Sequence, residues 1–200
     1  RSVSDSLVSL VPSLKEIMDF YFTTKPKEER EYQQVVVREN NYSSISNETE
    51  YFIIDIEIAS PEVGGRFDLA GINWDANKRQ HISKCKPAFI EMKYGDNALG
   101  GASGMLTHLE DMEAYIGNKP VYAQNIKAME AQFRQLDELG LLTFNHPSNV
   151  NLHLNPTDKP EFIFLLANHN PRASKLRSIL TDKRFQEKAK SSSFDLLFSS

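Results

Sequence analysis

Cysteine is nearly absent: Cys85 is the only one in 200 residues. One thiol can form neither an intrachain disulfide nor a cysteine-based zinc site. The chain is therefore no disulfide-stapled secreted scaffold, and a reducing, cytoplasmic compartment is expected. Long hydrophobic runs are missing too. The longest, around residues 162–167, falls far short of the ~20 residues a membrane-spanning helix needs, so no membrane partner is expected. No charged, then apolar, then small-residue signal pattern opens the chain. An excess of basic charge is lacking, with 23 Lys and Arg against 27 Asp and Glu. That excludes a histone-like binder, but not an enzyme that grips nucleic acid through a local basic stripe. There is no internal repeat, and no low-complexity tract beyond Ser191–Ser193. Neither a Gly-x-x-x-x-Gly-Lys-Ser/Thr phosphate loop nor a Gly-x-Ser-x-Gly elbow occurs, which excludes an ATP-driven motor and a serine hydrolase of that type.

What remains is ordinary globular composition, 40% hydrophobic and 25% charged, at a length that makes one domain with an appendage. Residues 7–22 carry apolar side chains at helical spacing, and residues 23–30, charged and holding Pro26, read as a linker. Residues 1–30 are thus expected to be an N-terminal helix and linker, and residues 31–200 the main domain. The opening Arg1 leads to the expectation of further sequence upstream, with room for a partner domain. Three consecutive valines predict a strand over 34–38. Residues 51–59 alternate, with Phe52, Ile54, Ile56 and Ile58 on one face and Ile53, Asp55 and Glu57 on the other. Further strands are expected over 66–74 and 87–94, joined by a turn at 60–65 and a polar, basic loop at 75–86. Helices follow over 103–116 and 121–139, with Gly117, Pro120 and Gly140 as stops. A strand over 161–167, a helix over 173–188 and a short strand over 194–198 complete the chain. This order predicts an α/β fold: a mixed β-sheet with an antiparallel meander, flanked by helices.

The chemistry-bearing residues sit in two of these strands. Asp68 interrupts one, and Glu91 and Lys93 end another. Charge is depleted in strands, and a buried charge needs a partner. Glu91 and Lys93 are two apart and project from one face. Hairpin geometry brings Asp68 opposite the end of the strand that carries them, and sets Glu57 opposite Asp68. Two or three carboxylates and a lysine on a common face suit divalent-metal phosphoryl chemistry: Mg²⁺ takes hard oxygen ligands and keeps several waters, and a lysine places positive charge where the attacking water and the phosphate need it. Glu91-x-Lys93 is the one acid-x-lysine spacing present. Chance gives about two in such a chain, so its weight comes from its place at the end of an apolar strand. The plain alternative is a strand-end salt bridge, with Asp68 capping a turn.

Asp68 followed by Glu91-Met92-Lys93, in a helix–strand–strand–strand–helix–strand order over roughly residues 50–170, resembles the PD-(D/E)xK nuclease superfamily, with Phe67 in place of the usual proline. The resemblance implies a restriction-endonuclease-like fold, with Asp68 and Glu91 binding Mg²⁺ (or Mn²⁺) and the Met92 carbonyl as a further ligand. It implies that Lys93 positions or activates the water. It also implies an added acidic residue, for which Glu57 is the candidate. The expected activity is metal-dependent phosphodiester hydrolysis, a DNA endonuclease; the alternative is a catalytically silent nucleic-acid- or protein-binding module of the same fold. Cutting both strands of a duplex favours a homodimer.

Other residues have two readings each. Ser103 and Gly104 open a helix, where backbone N–H groups hold a phosphate or Ser103 is simply the N-cap. His108 either touches substrate or is a core-edge histidine. Lys78 and Arg79, with His81, Lys84 and Lys86, form a basic tip that contacts a nucleic-acid backbone or is a solvated turn. His146, His153 and His169 lack metal spacing and read as structural.

Overall fold

The computed structural model describes residues 10, 14, 16–18, 20–60, 65–79, 85–144 and 152–200. Much of the expected N-terminal helix, the turn at 61–64 and the basic tip at 80–84 lie outside the described residues. The chain order is α1 (Glu28–Asn41), β1 (Tyr51–Ser60), β2 (Gly65–Trp74), β3 (Cys85–Tyr94), α2 (Met105–Gly117), α3 (Lys119–Glu138), β4 (Glu161–Ala167), α4 (Ser174–Leu180), α5 (Lys183–Ser191) and β5 (Asp195–Ser199). The five strands form one sheet in that order. β1, β2 and β3 pair antiparallel, and β4 and β5 add in parallel. The fold is α/β with a five-stranded mixed sheet flanked by helices.

The two sheet faces are unequal. The larger core packs Phe52, Phe67, Trp74, Phe89 and Phe162 against Met105, Tyr115, Tyr122 and Phe133 of α2 and α3. The smaller cluster is Ile53, Leu69, Ala88, Ile90 and Ile163, covered by Val36 and Val37 of α1. That packing explains why the valine run is helix instead of strand. Gln33, Val36, Val37 and Asn41 recur at helical spacing on the inward face, and burial of that stripe outweighs the weak β-preference of valine. Glu28, Glu29 and Glu31 in the first turn and Arg38 in the last complement the helix dipole. Asn41 ties the far end of α1 to the sheet: its amide donates to Ile53 O at 2.7 Å and accepts from Ile53 N–H at 2.8 Å.

Other expectations shift locally. Pro120 does not end a helix; it sits in the first turn of α3, where its missing N–H has no partner to lose. The helix expected over 173–188 is two, α4 and α5, because Asp182 caps the second by accepting from the N–H groups of Arg184 and Phe185. The alternation expected along β1 breaks twice. The register with β2 shifts between Ile53 and Asp55, and Glu57 takes a left-handed φ of 60°. Ile56 consequently packs on the α1 side and Ile58 against the large core.

Candidate active site

β3 is the central strand, buried on both faces. Phe89, on the same parity as Glu91 and Lys93, packs in the large core beneath α2 and α3. Both charged side chains are almost fully buried. Lys93 Nζ donates to Glu91 Oε1 at 2.8 Å and to the Ser103 carbonyl at 3.0 Å. From α2, His108 Nε2 reaches the same Glu91 oxygen at 2.9 Å. Its Nδ1 is buried and has no hydrogen bond among the described residues, lying 3.7 Å from Asp111 Oδ2. Burial alone would raise the Glu91 pKa, but the hydrogen bonds and charges of His108 and Lys93 outweigh it and hold the carboxyl below its usual range.

Asp68 stands in the seam between β2 and β3. The recorded pairing of these strands reaches Leu69 opposite Ile90. One step further, Asp68 Oδ2 accepts the Met92 N–H at 2.8 Å. Phe67 packs in the large core and Leu69 in the small one, so β2 twists at Asp68 and turns its carboxylate into the sheet plane. Glu91 and Lys93 share a face as expected. Asp68 does not project beside them; it opens towards α1, into a cavity of about 400 Å³ shared with Glu29, Arg30, Gln33, Glu57 and Arg66. An extended residue's N–H and C=O point to the same side, so the Met92 carbonyl opens onto the same seam. Burial, and then the charge of Glu91, push the Asp68 carboxyl up to about 6.

Glu57 lies between Ile56, which pairs with Leu69, and Ile58, which pairs with Phe67. It is therefore opposite Asp68, as the hairpin geometry predicts. Its charge is balanced by arginines, not left for a metal: Arg30 and Arg66 both hold Glu57 Oε1, Arg66 at 3.0 Å. The acidic neighbour whose charge Asp68 senses outside the motif is Glu29 of α1. Sequence reasoning missed it because residues 23–30 read as linker. The run Glu28-Glu29-Arg30-Glu31 was the available signal of a helix start.

The remaining candidates divide. Ser103 contributes its carbonyl, and its side chain is exposed. It is not the N-cap; Gly104 is. A Cβ on Gly104 would stand 2.7 Å from Gly100 Cα, so glycine is needed for the two loop strands to touch. Arg79 is no substrate contact. It is buried, donates to the Trp74, Asn47 and Thr49 carbonyls, and stacks over Phe52 and Phe144. Desolvation is severe there, and carbonyls plus ring faces compensate it. Lys78 closes a short 3₁₀ turn, Ala76–Lys78, next to it. Cys85 begins β3 and lies buried, donating to the His153 carbonyl, and burial pushes its thiol up to about 11. His153 pairs with Glu130. His146 lies outside the described residues.

The donors suit a hydrated hard cation. Asp68 Oδ2 is taken by Met92 N–H and Glu91 Oε1 by two cationic or polar donors. Among the described residues, the second oxygen of each carboxylate accepts no hydrogen bond. The like charge of Glu91 raises the proton affinity of Asp68, a repulsion that a cation would relieve. No three His, Cys, Asp or Glu side chains among the described residues gather closely enough to hold a metal by themselves. An ion here would rest on two carboxylates, a carbonyl and waters, which is how Mg²⁺ is commonly held. No described helix is long and apolar enough to cross a membrane. Comparison with family models, curated proteins and solved structures finds no match for this chain.

Proposed function

We propose that the chain is a Mg²⁺-dependent nuclease of PD-(D/E)xK type with a restriction-endonuclease-like core, hydrolysing phosphodiester bonds of DNA as an endonuclease. The observation that carries this reading is the buried lysine. Lys93 is 4% exposed and is held by one carboxylate and one carbonyl, one residue beyond Met92, whose N–H Asp68 accepts. An ammonium has three donors. Among the described residues two are engaged, which leaves the third for an attacking water or a phosphate oxygen. A purely structural pair would be as well served by apolar residues, because burying two charges costs more than it usually returns. Asp68, Glu91 and the Met92 carbonyl would hold the ion, which when bound polarises the phosphodiester and stabilises the leaving oxygen. Lys93 orients the water and offsets developing negative charge.

Plasmid nicking tests the reading. Wild-type protein with Mg²⁺ or Mn²⁺ converts supercoiled DNA to open circles, and EDTA stops it. Lys93→Ala lowers the rate by about 10²–10³ while metal binding persists; Asp68→Asn loses both. A labelled RNA run in parallel separates the two nucleic acids. Full activity in Lys93→Ala would remove Lys93 from the mechanism. No metal-dependent cleavage of either substrate would leave the chain a silent binding module of the same fold.

A further inference from the structure

We propose that His108 is a positioning residue for Glu91: it holds the carboxylate from α2 so that Lys93 can act without leaving a buried acid unpartnered. The inference rests on the nuclease reading of the site and deepens it. Glu91 Oε1 receives two donors, Lys93 Nζ at 2.8 Å and His108 Nε2 at 2.9 Å. They approach from different elements, β3 and α2. Lys93 has a second acceptor in the Ser103 carbonyl, so it can turn towards substrate and stay anchored. Among the described residues Glu91 has no such reserve except His108. A buried carboxylate stripped of its partner is strongly destabilised, and the imidazole prevents that. Both donors fall on one oxygen, which leaves the other for a cation.

The remaining contacts of His108 agree with this role. Among the described residues Nδ1 makes no hydrogen bond, Asp111 being too distant, and the one polar bond they give the ring is that to Glu91. The imidazole is 13% exposed, so its bond to Glu91 is largely shielded from water. Groups that orient metal ligands typically cost 10–100-fold in affinity or activity when removed.

The test uses the full chain with three substitutions, His108→Ala, His108→Gln and His108→Asn. Mn²⁺ affinity is measured by calorimetric titration, and kcat and KM by plasmid nicking. His108→Ala is expected to bind Mn²⁺ about tenfold more weakly or worse and to lose kcat, with KM for DNA unchanged because the proposed role acts through Glu91. The glutamine amide nitrogen falls near the place of Nε2, so His108→Gln restores both quantities; asparagine is too short and does not. Wild-type Mn²⁺ affinity in His108→Ala, a rise in KM with kcat intact, or failure of glutamine to rescue would each overturn the inference. If His108→Ala does not fold, the contrast between glutamine and asparagine decides. Wild-type protein that binds no Mn²⁺ and cuts nothing would instead remove the nuclease reading, and this inference with it. A wild type that binds and cuts beside an indistinguishable His108→Ala removes this inference alone.

Discussion

Asp68 is held in its charged form at a cost. Burial and the charge of Glu91 raise its pKa from 3.8 to about 6. The folded chain therefore holds this proton more tightly than the unfolded chain does. The stability linked to it is fully present below pH 3.8 and is lost as pH rises through about 6; a shift of this size corresponds to about 3 kcal/mol. Asn keeps an oxygen for the Met92 N–H and has no charge to desolvate. Asp68→Asn is accordingly expected to melt several degrees above wild type at pH 7.5 without metal, and the gap should close as pH falls from 6 towards 4. Added Mg²⁺ should raise the wild-type Tm and leave Asp68→Asn unmoved. A variant melting below wild type at pH 7.5 would mean that the carboxylate's bond to Met92 outweighs its desolvation. At this scale the site was legible where charge interrupts an apolar strand, as at Asp68, Glu91 and Lys93. It was illegible where the partner comes from afar. Glu57 looked like a ligand because Arg30 lay in a segment read as linker, and Arg79 looked like a surface cation because carbonyls at Asn47 and Thr49 carry no sequence signal.

Among the elements, the strands of the sheet were the most readable and α1 the least. β4, Glu161–Ala167, coincides with the expected strand, because flanking polar residues and both buried faces agree on one assignment. In α1, local preference and tertiary burial disagree, and burial prevails. The strand face at 57 and 68 was misjudged because a bulge and a left-handed residue change which side a chain presents, and neither has a glycine to announce it. The loop between β3 and α2 offers a sharper test of how elements carry chemistry. Gly104 has φ −83° and ψ 175°, a conformation open to any residue, so the demand for glycine is steric alone. The obstacle is backbone, Gly100 Cα at 2.7 Å and Leu99 O at 3.0 Å, and it cannot swing aside. Gly104→Ala should cost about 1–3 kcal/mol as overpacking. It should also displace the Ser103 carbonyl from Lys93, lowering nicking beyond what the lost stability explains. Gly117, in α2, where a Cβ would meet nothing within 4 Å among the described residues, is the control: Gly117→Ala should raise stability by up to about 1 kcal/mol. Equal Tm losses in the two variants would contradict the steric account.

At the scale of the whole molecule, the sheet is clamped firmly on one side and lightly on the other. On the α2 and α3 side, Phe89 lies within 5.4 Å of both Phe67 and Tyr115, centroid to centroid, inside a continuous aromatic core. On the α1 side, Ile53, Leu69, Ala88, Ile90 and Ile163, with Tyr51, Ile56 and Leu165 at the edge, meet Val36 and Val37. Binary pattern made the existence of a two-faced sheet legible. The inequality of its faces was not, because it depends on which helix covers which strand. Substitutions should reveal it. Phe89→Ala removes a buried aromatic and should cost about 3–5 kcal/mol, a large part of the ~5–15 kcal/mol typical of a domain. Val37→Ala removes two methyl groups from a partly buried position and should cost about 1 kcal/mol. The same asymmetry predicts the order of opening. In native-state hydrogen exchange, amides of β3 should be protected up to the global unfolding free energy, and amides of α1 should exchange through a lower, local opening. Val37→Ala should lower protection in α1 while leaving β3 nearly unchanged; Phe89→Ala should lower both together. Since α1 walls the cavity into which Asp68 opens, such a local opening would expose that carboxylate without unfolding the sheet that positions Glu91 and Lys93. Equal protection in α1 and β3, falling in parallel for both variants, would instead make the molecule a single cooperative unit with no separately mobile wall at the site.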